Sequence, residues 1–112
     1  MEECIFCKIG RGEINCNKVY EDDEFLAFRD INPQAPVHIL VIPKKHIAKL
    51  YDTEEISLLG RLLYIASKIA KDEGTAESGY RVVINTNRNA GQSVEHLHLH
   101  LLGGRIMHWP PG

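Results

Sequence analysis

The chain has 112 residues, of which 44% are hydrophobic and 25% are charged, and its formal net charge at pH 7 is −2. These values predict one soluble domain over residues 1–112, and the small negative charge excludes a general attraction to nucleic acid or to an anionic membrane. The sequence contains no apolar run near the roughly 20 residues that span a bilayer. Residues 1–3 are acidic where a signal peptide is basic, and three cysteines suit a reducing compartment better than a disulfide framework. We therefore expect a cytoplasmic protein.

Cys4 and Cys7 open the chain with a spacing that is used both for metal chelation and for redox exchange. A redox motif is expected at the start of a helix that follows a strand, and no strand pattern precedes this one. A metal site needs two further ligands, which the neighbouring sequence does not supply. The spacing alone therefore does not distinguish a metal site from a redox motif. The surrounding apolar residues predict a short helical turn that is broken at Gly10 and Gly12.

Two strands joined by a tight acidic turn are predicted over residues 19–21 and 25–30. Phe28 and Asp30 lie on one face of the second strand, because alternate residues of a strand point the same way. Such a pair could hold a nucleobase and accept hydrogen bonds from ribose hydroxyls. A core phenylalanine followed by an aspartate that starts a turn is the simpler alternative.

The next strand is predicted over residues 37–42, where β-branched and apolar types indicate a central strand covered on both faces. His38 interrupts that run at its edge and could join a site at the sheet surface. Pro43 ends the strand. His46 follows in a short basic segment that alone indicates only a solvated surface.

One long helix is predicted to begin at Asp52, with Glu55 completing an arrangement similar to a capping box, and to end at Gly74. Seven apolar residues recur at helical spacing and are expected to form its packing stripe: Ile56, Leu59, Leu62, Leu63, Ala66, Ile69 and Ala70. The stripe exceeds what one face of a small sheet needs, so we expect part of it to face a partner subunit.

A fourth strand is predicted over residues 82–85, ending in the amide side chain of Asn85. The polar loop 86–93 follows, and its amides and the Ser93 hydroxyl could receive an oxyanion. Near the end of the chain, Trp109 precedes two prolines, which excludes it from the interior of a sheet. It could form a docking arm or part of a pocket.

The last strand is predicted over residues 96–102, where histidine alternates with leucine. His96, His98 and His100 then share one face at intervals of about 7 Å, and the leucines lie on the core face. A slip of one residue would bury the imidazoles, so the leucines fix the register. The interval is too long for hydrogen bonds between neighbouring rings. It suits a central histidine that reacts while its neighbours orient it or bind another group.

These motifs together resemble the histidine triad (HIT) superfamily, whose signature is His-x-His-x-His followed by apolar residues. The similarity covers nearly the whole chain, including residues 30–36, 41–46 and 91–94, and the tail 103–112 is similar to that of the histidine triad nucleotide-binding (Hint) branch. The resemblance implies an α+β fold with a five-stranded antiparallel sheet, one long helix and a short N-terminal helix. It also implies a homodimer with a continuous sheet.

The resemblance further implies a nucleoside phosphoramidase, or nucleotidyl hydrolase, that acts on purine nucleoside monophosphate derivatives. His98 would attack the α-phosphorus, His38 and His100 would bind phosphoryl oxygens, and Ser93 would help a proton reach the leaving group. The residues implied to contact the substrate are Phe6, Phe28, Asp30, Ile31, Asn85, Gln92, Ser93, His100 and Trp109. Imidazoles and loop amides can stabilise phosphoryl oxygens, so no catalytic metal is required.

Some members of the superfamily hold zinc with a Cys-x-x-Cys pair and two histidines. By that resemblance, Cys4, Cys7, His46 and His96 would form one closed structural zinc site. A histidine committed to zinc cannot attack phosphorus, and this favours His98 as the nucleophile.

Three alternative functions stay open at this stage. The chain could hydrolyse another nucleotide, such as a dinucleotide. It could be a nucleotide-binding adaptor with incidental catalysis, in which Trp109 and the dimer surface serve a partner. It could also be a structural module built around zinc alone.

Overall fold

The computed structural model describes residues 4–112, and the acidic residues 1–3 that enter the localisation argument lie outside this range. The elements in chain order are α1 (Ile5–Gly10), β1 (Lys18–Glu21), β2 (Phe25–Arg29), β3 (Val37–Pro43), α2 (Ile56–Asp72), β4 (Tyr80–Val83) and β5 (Leu99–Gly103). The strands form one antiparallel sheet in the order β1-β2-β3-β5-β4. The predicted α+β architecture is therefore confirmed. Neither helix in the described range is long and apolar enough to cross a membrane.

The two faces of the sheet are covered by different helices. α2 packs on one face, where the main core contains Phe25, Ile39 and Leu99. α1 covers part of the other face, where Phe6 packs in a second cluster with Leu26, Phe28, Leu40 and Ile42. Residues 38–43 of β3 are all buried, which confirms a central strand covered on both sides. The alternation of β3 places His38 on the α1 face together with Leu40 and Ile42.

The histidine strand is shorter than predicted, because β5 begins at Leu99. His96 and His98 precede it. The physical reason is that Leu97 donates its N–H to the carbonyl of Ile47, beyond the end of β3, at 2.6 Å and so leaves the strand ladder. The alternation of faces nevertheless holds, because the leucines at positions 97, 99 and 101 are buried in the main core. β4 is also displaced from the prediction, since it ends at Val83 and leaves Asn85 outside the strand.

The prediction for the start of α2 is wrong. The helix begins at Ile56, and Asp52 lies in a separate 3₁₀ turn, Leu50–Asp52. Glu55 occupies the N-cap without a side-chain capping bond among the described residues, because its carboxylate instead pairs with Lys45 at 2.8 Å. The C-terminal signal was correct, since Gly74 follows the helix with a φ of +78°.

The packing face of α2 confirms the predicted stripe at Leu62, Ala66, Ile69 and Ala70, and Leu59 packs against the core, but the ends of the stripe differ. Its buried residues are Leu58, Leu62, Ile65, Ala66, Ile69 and Ala70. Ile56 and Leu63 were assigned to that stripe, but they are 84% and 51% exposed. The predicted residues and the buried residues both recur at helical spacing, and only packing against the sheet determines which of them are buried. Apolar side chains consequently remain on the outer surface of α2.

Candidate active site and metal cluster

A cavity of about 230 Å³ opens on the α1 face of the sheet, beside the ends of β2 and β5. Predicted site residues that line it are Phe6, Phe28, Asp30, Ile31, Ser93, His98 and His100. The structure therefore brings together residues that lie up to 94 positions apart in the chain. One part of the cavity is apolar, and the other part carries imidazoles, a carboxylate and a hydroxyl. An apolar slot with a polar end suits a flat ring that carries an anionic group.

Aromatic rings build the apolar wall of the cavity. The Phe6 ring meets Phe28 edge to face, with centroids 5.7 Å apart, and meets His98 in the same way at 5.1 Å. Edge-to-face contacts of this kind are favoured because the positive ring edge faces the negative ring surface. Ile31 lies fully exposed at the rim. A ring bound in the slot would cover this apolar side chain.

The backbone fixes the tautomer of His98. Its Nδ1 lies 2.6 Å from the carbonyl oxygen of His96. A carbonyl only accepts hydrogen bonds, so Nδ1 carries the proton and Nε2 keeps its lone pair. Burial lowers the pKa of His98, although the hydrogen bond to the His96 carbonyl acts in the opposite direction. His98 is therefore a neutral imidazole with a free lone pair at the cavity.

A chain of hydrogen bonds fixes the tautomers of His38 and His100 as well. The Gln34 N–H donates to His38 Nδ1 at 3.0 Å, so the proton of neutral His38 resides on Nε2. That Nε2 lies 3.0 Å from Nδ1 of His100, which must accept, and the proton of His100 resides on its own Nε2. Burial, aided by the neighbouring imidazoles of His98 and His38, lowers the pKa of His100 to about 4. His100 is thus a neutral donor at the cavity.

The same tautomers argue against a second metal site. Ligand atoms of Asp30, His38 and His100 lie within 4.8 Å of one another. His38 Nε2 lies 3.4 Å from Asp30 Oδ2. With Gln34 N–H on its Nδ1, however, His38 presents a proton at Nε2 and has no lone pair there for a metal. His38 is therefore hydrogen-bonded to His100 and also lies close to the Asp30 carboxylate, so that both groups face the His38 proton.

Several predicted substrate contacts lie elsewhere in this single chain. Among the described residues, Asn85, Gln92 and Trp109 are not part of the cavity wall. The Gln92 amide donates to the carbonyls of Ala48 and Val94 at 2.8 and 3.0 Å, and its oxygen accepts the Asn87 N–H at 2.9 Å. The Gln92 side chain thus connects several backbone groups of the loop that precedes the histidines. Ser93, which that loop presents, is exposed at the cavity.

The four predicted zinc ligands converge beside the cavity. Ligand atoms of Cys4, Cys7, His46 and His96 lie within 4.8 Å of one another. Cys7 Sγ lies 3.2 Å from His46 Nδ1 and 3.5 Å from His96 Nδ1, and Cys4 Sγ lies 3.3 Å from His96 Nδ1. A tetrahedral zinc ion with ordinary bond lengths separates its sulfur and nitrogen ligands by about 3.6 Å. The arrangement therefore fits zinc with only small movements.

The protonation chemistry of the cluster fits a cation as well. His96 Nε2 donates to the carbonyl of Pro43 at 2.7 Å, which leaves the Nδ1 lone pair pointing at both sulfurs. Burial, followed by the hydrogen bond from Cys4, raises the pKa of the Cys7 thiol. A nearby cation would therefore favour the thiolate form of Cys7, which is the form that binds metal. Zinc would supply that charge and would join the N-terminal helix to the rest of the domain.

The backbone groups that assign these roles could not be found from the sequence. The carbonyl of Pro43 reaches His96 through the tertiary fold, while the His96 carbonyl and the Gln34 N–H reach rings two and four residues away through the local course of the backbone. Residue types carry no signal for such contacts. The cavity neighbours Ile9, Leu40 and Val94 were also missed as site residues, because each of them also fits an ordinary core position, and the exposed Ile5 was missed as well.

Fold and site together define the class of this protein: an α+β domain built on one antiparallel sheet, with clustered histidines beside a cavity. The model of the HIT domain family matches residues 11–107. The chain therefore belongs to the HIT family, as the sequence motifs predicted.

Individual relatives resemble most of the chain. The 14 kDa zinc-binding protein of Zea mays is 58% identical over 96% of this chain and 87% of its own length. The purine nucleoside phosphoramidase of Escherichia coli strain K12 is 56% identical over 93% of this chain and 89% of its own length. Among solved structures, a HIT family hydrolase from Legionella pneumophila is 56% identical and superposes with a TM-score of 0.96, covering 98% of this chain and all of that one.

Proposed function

We propose that this protein is a purine nucleoside phosphoramidase that cleaves the P–N bond of its substrate through a nucleotide covalently bound to His98. The observation that carries the proposal is the tautomer of His98, whose Nδ1–H is held by the His96 carbonyl while Nε2 faces the cavity with its lone pair. The similarity to the Escherichia coli purine nucleoside phosphoramidase supports the choice of substrate class.

The cavity orients the substrate before any bond changes. The purine lies in the apolar slot between Phe6, Phe28 and Ile31, and Asp30 accepts from the ribose hydroxyls. The phosphoryl group then reaches the imidazole end, where His100 donates its Nε2–H to a phosphoryl oxygen. Since His100 is already hydrogen-bonded to His38 at 3.0 Å, this donor is oriented before the substrate arrives.

The reaction proceeds in two displacements at phosphorus. His98 Nε2 forms a bond to phosphorus as the P–N bond breaks, and the departing nitrogen takes the bonding electron pair and a proton through the Ser93 hydroxyl. The positive charge on the modified imidazole is stabilised at Nδ1–H by the His96 carbonyl. Water then attacks phosphorus, releases a nucleoside monophosphate and restores neutral His98. A proton from this water replaces the one that Ser93 delivered.

Kinetics with His98→Asn test this mechanism. We expect kcat for adenosine 5′-phosphoramidate to fall by about 10⁴-fold or more, because the nucleophile is lost, while adenosine 5′-monophosphate still binds. Rapid quenching of the unchanged protein, followed by mass spectrometry, should place the nucleotide on His98. His108→Asn, in the exposed tail, is the matched control. Binding of the nucleotide without turnover by the unchanged protein would favour an adaptor, and a dinucleotide hydrolysed faster than any phosphoramidate would favour the other hydrolase.

The proposal also assigns one structural zinc to Cys4, Cys7, His46 and His96. Support comes from their mutual distances and from the similarity to the zinc-binding protein of Zea mays. Elemental analysis of protein purified without chelator should find about one zinc per chain. Folded, active protein that holds no zinc after expression in zinc-replete medium would contradict the assignment.

The domain organisation and assembly are proposals too. We place one domain over residues 1–112 in the cytoplasm, where a reducing environment keeps metal-binding thiols available. We also propose a homodimer in which two β4 edges pair and continue the sheet. β4 is an edge strand, and Ile56 and Leu63 remain exposed on α2. Light scattering should give twice the chain mass of 12.7 kDa.

A further inference from the structure

α1 forms one wall of the nucleotide cavity although it contains only six residues. Ile5, Phe6 and Ile9 from this helix line the cavity. Helices this short are unstable in isolation, so α1 depends on contacts with the remainder of the domain. Within residues 4–112, the backbone hydrogen bonds of α1 connect only residues 4–13 with one another. The sheet therefore holds this wall through side chains.

Side chains tie α1 to the domain at two places, because Phe6 packs in the second core cluster while Cys4 and Cys7 belong to the metal cluster. Cys4 is the N-cap of α1, and its Sγ accepts the N–H of Cys7 at 3.4 Å. Both cysteines are ligands in the cluster, whereas His46 and His96 follow β3 and precede β5. A metal ion bound by all four would thus connect α1 to the sheet at two points on the same short helix.

Phe6 lies between these two points in the sequence. Its ring is buried and touches His98 and Phe28 edge to face. Because Cys4 and Cys7 flank it by two residues and one residue, anchoring both sulfurs determines where the ring can lie. The Phe6 ring is the aromatic side chain of α1 at the cavity, and it would contact a bound base.

We propose that the metal cluster is a clasp that closes the nucleotide cavity by holding α1, and with it Phe6, against the sheet. This inference rests on the zinc assignment in the proposed function. His98 does not depend on the clasp in the same way, since the carbonyl that orients it belongs to His96. The His96 ring is itself held at Nε2 by the Pro43 carbonyl, and this hydrogen bond uses the ring nitrogen that does not face the cluster. Loss of the metal should therefore weaken nucleotide binding and leave the chemical step nearly unchanged.

The test uses the full-length double variant Cys4→Ala/Cys7→Ala. Cys16→Ala is the matched control, because Cys16 is a free, half-buried thiol outside the cluster. The measurements are zinc content, the Kd of adenosine 5′-monophosphate by calorimetry, and KM and kcat for adenosine 5′-phosphoramidate. Hydrogen exchange of peptides that cover residues 4–12 reports directly on the attachment of α1.

We expect the double variant to lose its zinc, to raise both Kd and KM by about tenfold or more, and to keep kcat within about threefold of the unchanged protein. Exchange should accelerate in α1 and not in α2. The Cys16→Ala variant should match the unchanged protein in every measurement. If the double variant does not fold, zinc is withdrawn from the unchanged protein with a chelator and then returned, and Kd should rise and recover.

Unchanged Kd and unchanged exchange in zinc-free protein would overturn the clasp. A fall in kcat at constant KM would overturn it too, because the metal would then orient His98 and not the cavity wall. If the unchanged protein hydrolyses the phosphoramidate without containing metal, the clasp fails and the phosphoramidase proposal survives. If zinc removal weakens nucleotide binding in a protein that hydrolyses no phosphoramidate, the clasp survives and the catalytic proposal fails.

Discussion

Replacing His38 with leucine tests whether hydrogen bonds set the tautomer of His100. The substitution removes the Nε2–H that lies 3.0 Å from His100 Nδ1. Gln34, whose N–H also loses its partner, is exposed, so water can replace that acceptor. The lasting defect is therefore at His100. Its proton can move to Nδ1, and the ring would then present a lone pair to the phosphoryl oxygen.

The size of the effect follows from the missing partner. A buried polar atom without a hydrogen bond costs about 1–3 kcal/mol. If the cost appears fully in the transition state, kcat/KM falls by about 5- to 150-fold. His100→Asn, which removes the donor itself, should cost about 10²- to 10³-fold, as for the loss of one oxyanion donor. His38→Gln keeps an N–H near the position of Nε2, so its loss should be smaller than that of His38→Leu.

Two assays separate this explanation from general damage to the site. Steady-state kinetics give the order of the three variants, and nitrogen NMR of labelled histidine distinguishes protonation at Nδ1 from protonation at Nε2. We expect His100 to carry its proton on Nε2 in the unchanged protein and in His38→Gln. In His38→Leu both tautomers should appear. Equal losses for leucine and glutamine, with an unchanged tautomer of His100, would refute the reasoning.

Three further predictions concern stability and pH. The pKa of His100 is about 4 in the folded chain and near 6.5 in the unfolded chain, so only the unfolded state gains a proton on His100 between these pH values. The free energy of unfolding, measured with urea, should therefore fall from pH 7 to pH 5. The slope for this one proton is at most about 1.4 kcal/mol per pH unit. His100→Asn should reduce that slope. Leu62→Ala should cost about 2–5 kcal/mol in the same assay, because Leu62 is fully buried, whereas the exposed Leu63→Ala should cost far less.

The elements of the fold were predictable where a pattern admits one solution. Alternating leucines in the last strand point to one face, and the structure confirms that this face joins the main core, although His96 and His98 on the other face are buried too. The run of apolar residues around Leu40 likewise indicated a central strand. The phase of α2 was predicted only in part, because its apolar residues are numerous enough to include the exposed Ile56 and Leu63. The predicted cap was wrong, because Asp52 lies in a separate 3₁₀ turn and the helix begins only after Glu55.

The candidate site likewise combines features that the sequence predicts with features that it does not. The sequence placed Phe28 and Asp30 on one face of their strand, since period-2 patterns determine the face of each residue, but only the resemblance to a family joined them to His100. It could not bring Cys7 and His46 together from spacing, because they lie 39 residues apart and meet only when α1 folds back on the sheet. That pairing came from the resemblance to a family. The structure then supplied the distances that make it chemically reasonable.

The three histidines acquire different chemistry here because a different neighbouring group holds one ring nitrogen of each. A carbonyl holds Nε2 of His96, so its Nδ1 lone pair faces the thiols. Another carbonyl holds Nδ1 of His98, so its Nε2 lone pair faces the cavity. His100 accepts from His38 at Nδ1 and therefore offers a proton at Nε2. The proposed metal ligand, the proposed nucleophile and the proposed hydrogen-bond donor thus follow one another along five residues. Their order is determined by which backbone or neighbouring atom occupies the other nitrogen.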